Sequence, residues 1–499
     1  MNTTLILTCD LSKKIHVFIY QDNMYRLLFV LLIPLCSGTT STPNVLIIMA
    51  DDLGYNDISW HNSEIISPNL DKLSKEGIIL ENHYVSMCSA TRAALLTGYY
   101  PIHTGMQHSV VENQEPRGLY TNFTLMSEYF SYLGYRTHII GKWHLGFCHD
   151  DYLPLRRGFD SFYGLYLGGE NYYDHNDPAT VYKSEKEKIV GYDFRDQDDV
   201  DRSGIGTYST TLFAKRAVDI INDHVENHSN ESIFMYLPFQ TVHPPLSVPK
   251  EYYDLYPNMK HGNRRIVSGM VSAMDDAIGM VVEELNTTGL LDNTIILFAS
   301  DNGGEAFLGG NNYPLRGMKN TLWEGGTKSV SFIYSKMLKN KGTTNDELIH
   351  VSDWLPTLLT AVRNSLPSNE QSKVQQFLSE EWDGLDQWGM LMGNEANKRS
   401  EILYNIDPVY LDHIDELNGL SSLGHGAIRI GNFKLMLGNP GSNDYHYPPH
   451  YPEDLIEMFD KTIISNDTLE SIAPYTYKEL ETLGMLIRPH YVNNQFLLA

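Results

Sequence analysis

Two unbroken apolar runs, Asn44-Val-Leu-Ile-Ile-Met-Ala50 and Thr294-Ile-Ile-Leu-Phe-Ala-Ser300, constrain the fold more than any other feature of this chain. Neither alternates apolar with polar residues, so both are predicted as strands buried on two faces, the kind that forms parallel sheets covered by helices. Each run ends in oxygen-bearing side chains, Asp51-Asp52 in the first and Asp301-Asn302-Gly303-Gly304 in the second. Ligands of open α/β sheets gather beyond the carboxyl ends of the strands, so these four side chains are predicted to converge from distant parts of the chain. Such hard donors favour Ca2+ or Mg2+ over zinc. In isolation, Asp-Asn-Gly-Gly reads better as a turn.

Cys88-Ser-Ala-Thr-Arg92, continued by Ala-Ala-Leu-Leu-Thr-Gly98, is predicted to open a helix at Cys88 and stop it at Gly98. The free N–H groups of that first turn could receive an anion. Cys88 and Arg92 stand four apart, hence on one helical face, although an isolated cysteine is more often a small inert core residue. In Thr137-His-Ile-Ile-Gly-Lys-Trp-His-Leu-Gly146, Lys142 and His144 are two apart and, in an extended exit, would project to one side. His243 follows the strand-like stretch 233–242, and Lys319 lies in the glycine-flanked loop 315–326, where backbone can approach a ligand closely. Each of these cations, read alone, is an ordinary solvated or loop residue.

Together the motifs resemble those of the type I, formylglycine-dependent sulfatases, whose signature is Cys-x-(Pro or Ala)-x-Arg ahead of a small apolar helix; Ala90 stands where most animal members carry Pro. The resemblance runs from about residue 44 to about residue 460. It is greatest to the arylsulfatase B group, the N-acetylgalactosamine-4-sulfatase-like enzymes, through Ala50-Asp-Asp-Leu-Gly-Tyr-Asn-Asp57, Arg156-Arg-Gly-Phe-Asp160, Gly309-Gly-Asn-Asn312, Leu348-Ile-His-Val-Ser-Asp-Trp-Leu-Pro-Thr357 and Asn405-Ile-Asp-Pro408. It implies an alkaline-phosphatase-like α/β fold, with a large mixed, mainly parallel sheet flanked by helices in a catalytic domain, 39–395. A smaller C-terminal antiparallel-sheet domain, 396–499, would follow and end earlier than the family pattern. It also implies that the formylglycine-generating enzyme oxidises Cys88 to formylglycine, whose hydrate is the nucleophile. Asp51, Asp52, Asp301 and Asn302, with the Cys88-derived side chain, would hold one Ca2+, and Arg92 and Lys142 would hold the hydrate and the sulfate. Lys319 or His243 would protonate the leaving alcohol, and His144 would deprotonate the second hydroxyl of the hydrate so that sulfate departs. The substrate would be a sulfated glycan or an aryl sulfate.

Composition agrees with a large core: of 499 residues, 42% are hydrophobic and 20% charged, a globular balance. Stretch 213–225 carries an amphipathic helical pattern, 363–379 is largely polar with a loop over 367–373, and 401–404 and 427–437 read as strands joined by turns. The formal charge of −25 argues against binding nucleic acid or anionic membranes. An acidic compartment would ease its repulsion of a polyanionic substrate by protonating histidines. Arg26-Leu-Leu-Phe-Val-Leu-Leu-Ile-Pro-Leu-Cys-Ser-Gly38 has the positive flank, short apolar core and small residues of a signal peptide, and is too short to span a membrane. Residues 1–38 are therefore predicted as a leader, with Met24 an alternative start, and the protein as one of the secretory route, lysosomal or extracellular. Sequons at Asn122, Asn227, Asn230, Asn286 and Asn466 fit glycosylation.

Beyond the leader only Cys88 and Cys148 remain, and a disulfide between them is the direct rival of the formylglycine reading. Two other functions stay open. One is a non-catalytic secreted glycan-binding relative; the other is a phosphate or phosphonate monoester hydrolase of the same superfamily, whose phosphatases typically pair Ser or Thr with a two-zinc, His-containing site.

Overall fold

The computed structural model describes residues 42–113, 115–177, 191–407, 425–438 and 440–441, and the backbone alone of 408–411, 423–424 and strands Thr4–Cys9, Ile15–Tyr20, Val181–Ser184, Glu187–Ile189, Lys461–Ile464 and Thr468–Ile472. Two units divide between residues 41 and 42. In the first, Thr4–Cys9 and Ile15–Tyr20 pair antiparallel; the apolar stretch of the predicted leader, 26–38, lies outside the described residues.

The second unit is built on a ten-stranded sheet. From edge to edge its strands are Asp199–Val200, Arg195–Asp196, Ser161–Leu165, Arg136–Lys142, Ile233–Pro238, Asn44–Ala50, Thr294–Ser300, Ser331–Ser335, Ile78–Leu80 and Thr343–Asn345. The run from Ser161–Leu165 to Thr294–Ser300 is parallel throughout, and antiparallel partners begin on either side of it. Both predicted strands lie in the middle and are buried at every position. Their side chains divide by parity. Val45, Ile47, Met49, Ile295 and Leu297 enter one core with helices Cys88–Thr97, Met126–Tyr132 and Trp354–Ser365, while Leu46, Ile48, Ile296 and Phe298 enter a second with Pro68–Glu76, Ser209–Asn227 and Gly262–Thr287. The unbroken apolar runs thus record helices on both faces of the sheet.

Glu401–Leu411, Leu423–Ile430 and Phe433–Gly438 form the expected small antiparallel sheet, turning at Gly431 (φ 55°). Ile402, Tyr404 and Ala427 pack it against Tyr84, Leu322 and Leu348. In the polar stretch 363–379 the predicted loop 367–373 holds over 367–370 but ends early, because Gln371–Gln375 is a helical turn, followed by a 3-10 turn at Phe377–Ser379. Val374 is buried in the first core and Phe377 meets the rings of Tyr129 and Tyr132 edge-on. With Leu366 and Leu378, which pack against the same core, these few apolar anchors order it, too few to register as a periodic pattern.

Candidate active site

Ser300 pairs in register with Ala50 across the two central strands. Asp51 and Asp301 therefore leave the sheet side by side, and the Asp301 N–H donates to the Ala50 carbonyl at 3.0 Å. Neighbouring strand residues face opposite ways, yet Asp51 and Asp52 both reach the site, because Asp52 takes a left-handed backbone (φ 60°) that aspartate tolerates. The Asp52 N–H then donates to Asp301 Oδ1 at 3.2 Å, and Asn302 Nδ2 donates to Asp52 Oδ1 at 2.7 Å. The predicted helix spans Cys88–Thr97 and stops at Gly98 (φ 76°). Its first residue meets the cluster: the Cys88 N–H donates to Asn302 Oδ1 at 3.0 Å, and Sγ lies 3.2 Å from that oxygen and 3.9 Å from Asp51 Oδ1. Ligand atoms of Asp51, Asp52, Cys88 and Asp301 all lie within 4.8 Å of one another, and all four residues are buried.

Three cations take the outer carboxylate oxygens. Arg92 Nη2 donates to Asp301 Oδ2 at 2.8 Å, Lys142 Nζ pairs with Asp51 Oδ2, and Lys319 Nζ donates to Asp52 Oδ2 at 2.7 Å. Burial and the neighbouring Asp301 push the Asp51 carboxyl up to about 8 despite Lys142 and Arg92; at Asp52, burial is outweighed by the Lys319 ammonium and by hydrogen bonds from Lys319 and Asn302, which hold it down at about 2. A further cation at the inner oxygens would relieve the crowding at Asp51. Carboxylates and one amide oxygen, with no imidazole in the cluster among the described residues, fit a hard divalent ion such as Ca2+. Burial pushes the Cys88 thiol up, so it stays protonated and is a weak nucleophile as it stands. Cys88 is buried, Cys148 is exposed and both are free, which removes the disulfide alternative.

The exit from Lys142 is not extended as predicted. Trp143 turns into the core, its Nε1–H reaching the carbonyls of Gly146 and Tyr152, and His144 adopts a left-handed backbone (φ 57°). Strain of this kind in a non-glycine residue persists where the surroundings over-determine it. The Val111 carbonyl, 3.1 Å from His144 Nε2, assigns the ring proton there and leaves Nδ1 buried with no hydrogen-bond partner among the described residues. Burial, Lys142 and Arg92 hold the ring well below its usual pKa, hence neutral. His243 is arranged the other way round: Nδ1 donates to the Pro244 carbonyl at 2.6 Å, and Nε2 lies 3.9 Å from Asp52 Oδ2. Burial and Lys319 hold it, too, well below its usual value. At Lys319 burial is outweighed by Asp52, which pushes the ammonium well above its ordinary range.

A family model described as Sulfatase matches residues 43–364. The chain belongs to the sulfatase family. Mouse arylsulfatase J is 39% identical to it over 423 residues, 82% of this chain and 66% of that protein. Human N-acetylgalactosamine-6-sulfatase is 28% identical over 350 residues, 67% of this chain and 64% of that one. The chain thus spans 66% and 64% of the length of these two relatives. A solved structure, Ps i-CgsB in complex with k-i-k-neocarrahexaose, shares the fold with a TM-score of 0.68 at 29% identity, over 81% of this chain and 85% of that one.

Several residues that hold this sulfatase's site together were not singled out from sequence. Asp57 accepts the N–H groups of Gly54 and Asn311 at 3.0 and 2.9 Å and pairs with Arg264, locking two loops beside the cluster. Asn312 Oδ1 accepts the Gly304 N–H at 2.8 Å. Asp57, Asn311 and Asn312 fall inside the family-like stretches, a signal that could have found them. Glu170 and Gln240, which exchange hydrogen bonds of 3.0 and 2.9 Å through backbone and amide groups, had no such signal. Of the sequons, Asn122, Asn227, Asn230 and Asn286 are exposed, and Asn466 lies outside the described residues. No helix among the described residues is long and apolar enough to cross a membrane.

Proposed function

We propose that this sulfatase hydrolyses sulfate esters of glycans, of the N-acetylgalactosamine-4-sulfate kind that its arylsulfatase B-like motifs imply, with formylglycine derived from Cys88 as nucleophile. The observation that carries the reading is the position of Cys88, at a helix N-terminus with Sγ 3.2 Å from Asn302 Oδ1 and in reach of three buried carboxylates. Asp51, Asp52, Asp301 and Asn302, with the Cys88-derived side chain, would hold one Ca2+. When bound, that ion supplies neutralisation of sulfate charge and acidification of a hydroxyl beside it.

The other steps fall to the chain's own groups. Arg92 and Lys142 hold the hydrate and the sulfate oxygens. Lys319, kept protonated, is the donor to the departing alcohol, because His243 commits its Nδ1 proton to Pro244 and presents an unprotonated Nε2 to the site. His144 takes the proton of the second hydroxyl at its unpartnered Nδ1. An unmodified thiol has no second hydroxyl to surrender, hence the need for oxidation by the formylglycine-generating enzyme. Domain 39–395 would carry this chemistry and 396–499 would support it, in a glycosylated protein of the secretory route, lysosomal or extracellular.

A phosphate ester hydrolase is disfavoured by neutral Asn302 and by the lack of histidine in the cluster, and a non-catalytic glycan binder by the full set of acid, base and anion-binding groups. The test is a side-by-side assay of a sulfated N-acetylgalactosamine and its phosphate counterpart, with and without Ca2+, on protein from a host that makes the converting enzyme. Sulfate-selective, Ca2+-dependent turnover is expected. Preference for phosphate with zinc, or binding without turnover, would replace the reading by one of the other two.

A further inference from the structure

The loop that carries Lys319 is gripped from both sides. On its inner side Gly303 N–H donates to the Gly326 carbonyl at 3.0 Å and Lys319 N–H to the Gly304 carbonyl at 3.2 Å, and a Cβ on Gly303 would come within 1.7 Å of the Gly325 oxygen. On its outer side Leu322 N–H donates to the Pro440 carbonyl at 2.7 Å and Trp323 Nε1 to the Gly441 carbonyl at 2.8 Å. Glu324, which opens the turn Glu324–Thr327, links the grips. Its Oε1 accepts from Lys434 Nζ at 2.9 Å and from the Tyr404 hydroxyl at 3.3 Å, its Oε2 accepts from the Tyr84 hydroxyl at 2.8 Å, and Arg429 Nη1 lies 3.6 Å away. Tyr84 belongs to the segment that leads into Cys88, where Val85 N–H donates to the Thr327 carbonyl at 2.9 Å. A single carboxylate therefore ties together the approach to Cys88, the Lys319 loop and three side chains of the C-terminal sheet.

We infer that Glu324, held by Lys434 and Tyr404, is a positioning residue that fixes Lys319 relative to Cys88 and so makes the C-terminal sheet part of the acid step. The inference rests on the sulfate ester reaction proposed above. Charge-assisted hydrogen bonds to a half-buried carboxylate hold geometry more stiffly than those of the neutral amide that would replace it.

Amide hydrogen exchange and kinetics on E324Q, K434M and K434R test it. Exchange in peptides covering 315–327 should rise by about tenfold in E324Q and K434M while those of helix Trp354–Ser365 keep wild-type rates. K434R, which retains the ion pair, should stay near wild type. For E324Q, kcat should fall by about tenfold on a sugar sulfate and by less than about threefold on a nitrophenyl sulfate, with KM little changed, because a good leaving group needs little protonation. E324Q should also add no further loss to K319A. Unchanged exchange at 315–327, acceleration spread evenly over the chain, or equal kcat losses on the two esters would overturn the inference. If wild-type protein hydrolyses neither ester, the proposed reaction fails, and the exchange pattern alone still decides whether Glu324 holds the loop.

Discussion

Asp51 and Asp301 share one guanidinium: Arg92 Nη2 lies 2.8 Å from Asp301 Oδ2 and 3.4 Å from Asp51 Oδ2, and all three residues are fully buried. Two carboxylates this close cannot both stay ionised without a compensating charge. Arg92 supplies a fixed one from the helix that begins at Cys88, so that helix and the two strand ends are joined electrostatically as well as by packing.

The tryptic peptide ending at Arg92 should carry formylglycine at position 88. Its mass, measured on protein from a host that makes the converting enzyme, checks this; intact cysteine, or a bond to Cys148, would contradict it.

Metal analysis should find one Ca2+ per chain and no stoichiometric zinc. Chelation should lower Tm as well as activity, since an ion bound at 100 times its Kd adds about 2.7 kcal/mol to the folded state. Asp301→Asn should abolish binding and, by breaking the buried pair with Arg92, cost about 3–5 kcal/mol in denaturant unfolding.

His144→Ala and Lys319→Ala should fail at different steps. With an aryl sulfate, His144→Ala should release a burst of about one equivalent of phenol and then slow by about 10²–10⁴-fold. Lys319→Ala should show no burst, and its loss should be steepest for alcohols that leave poorly. A missing burst in the first variant, together with equal losses on all esters in the second, would show the acid and base to be misassigned.

Acid should destabilise the fold through His83. This buried ring accepts Trp354 Nε1–H at 2.9 Å through Nε2, and burial holds its pKa down at about 3 against 6.5 when unfolded. Below 6.5 the unfolded chain binds a proton that the folded chain refuses, so stability falls as pH drops through the window from 6.5 to about 3. The slope is about 1.4 kcal/mol per pH unit. His83→Gln keeps an acceptor for Trp354 without titrating, so its Tm should depend less steeply on pH between about 7 and 5; equal slopes would exclude His83 as a source.

The two central strands, the helix from Cys88 to its stop at Gly98 and the carboxylates beyond the strand ends were all legible in the chain, because each is a local pattern. Unbroken apolar residues mark a strand covered on both faces, a glycine after an apolar helix marks its left-handed end, and ligands sit where parallel strands finish. The backbone at Asp52 and His144 was not legible, since a positive φ in such residues is sustained by contacts from elsewhere in the fold. Nor were the roles of Asp57, which grips loops from two distant segments, and of Glu324, whose partners come from three.

By itself the sequence determined which side chains are available for the chemistry and at which strand and helix ends they stand. Only the tertiary structure decided that Lys142 faces Asp51, Lys319 faces Asp52 and Arg92 faces Asp301, and that His144 keeps Nδ1 open while His243 does not. Those choices depend on strand order, register and burial, which act through space between residues that the chain keeps far apart, and no local pattern records them.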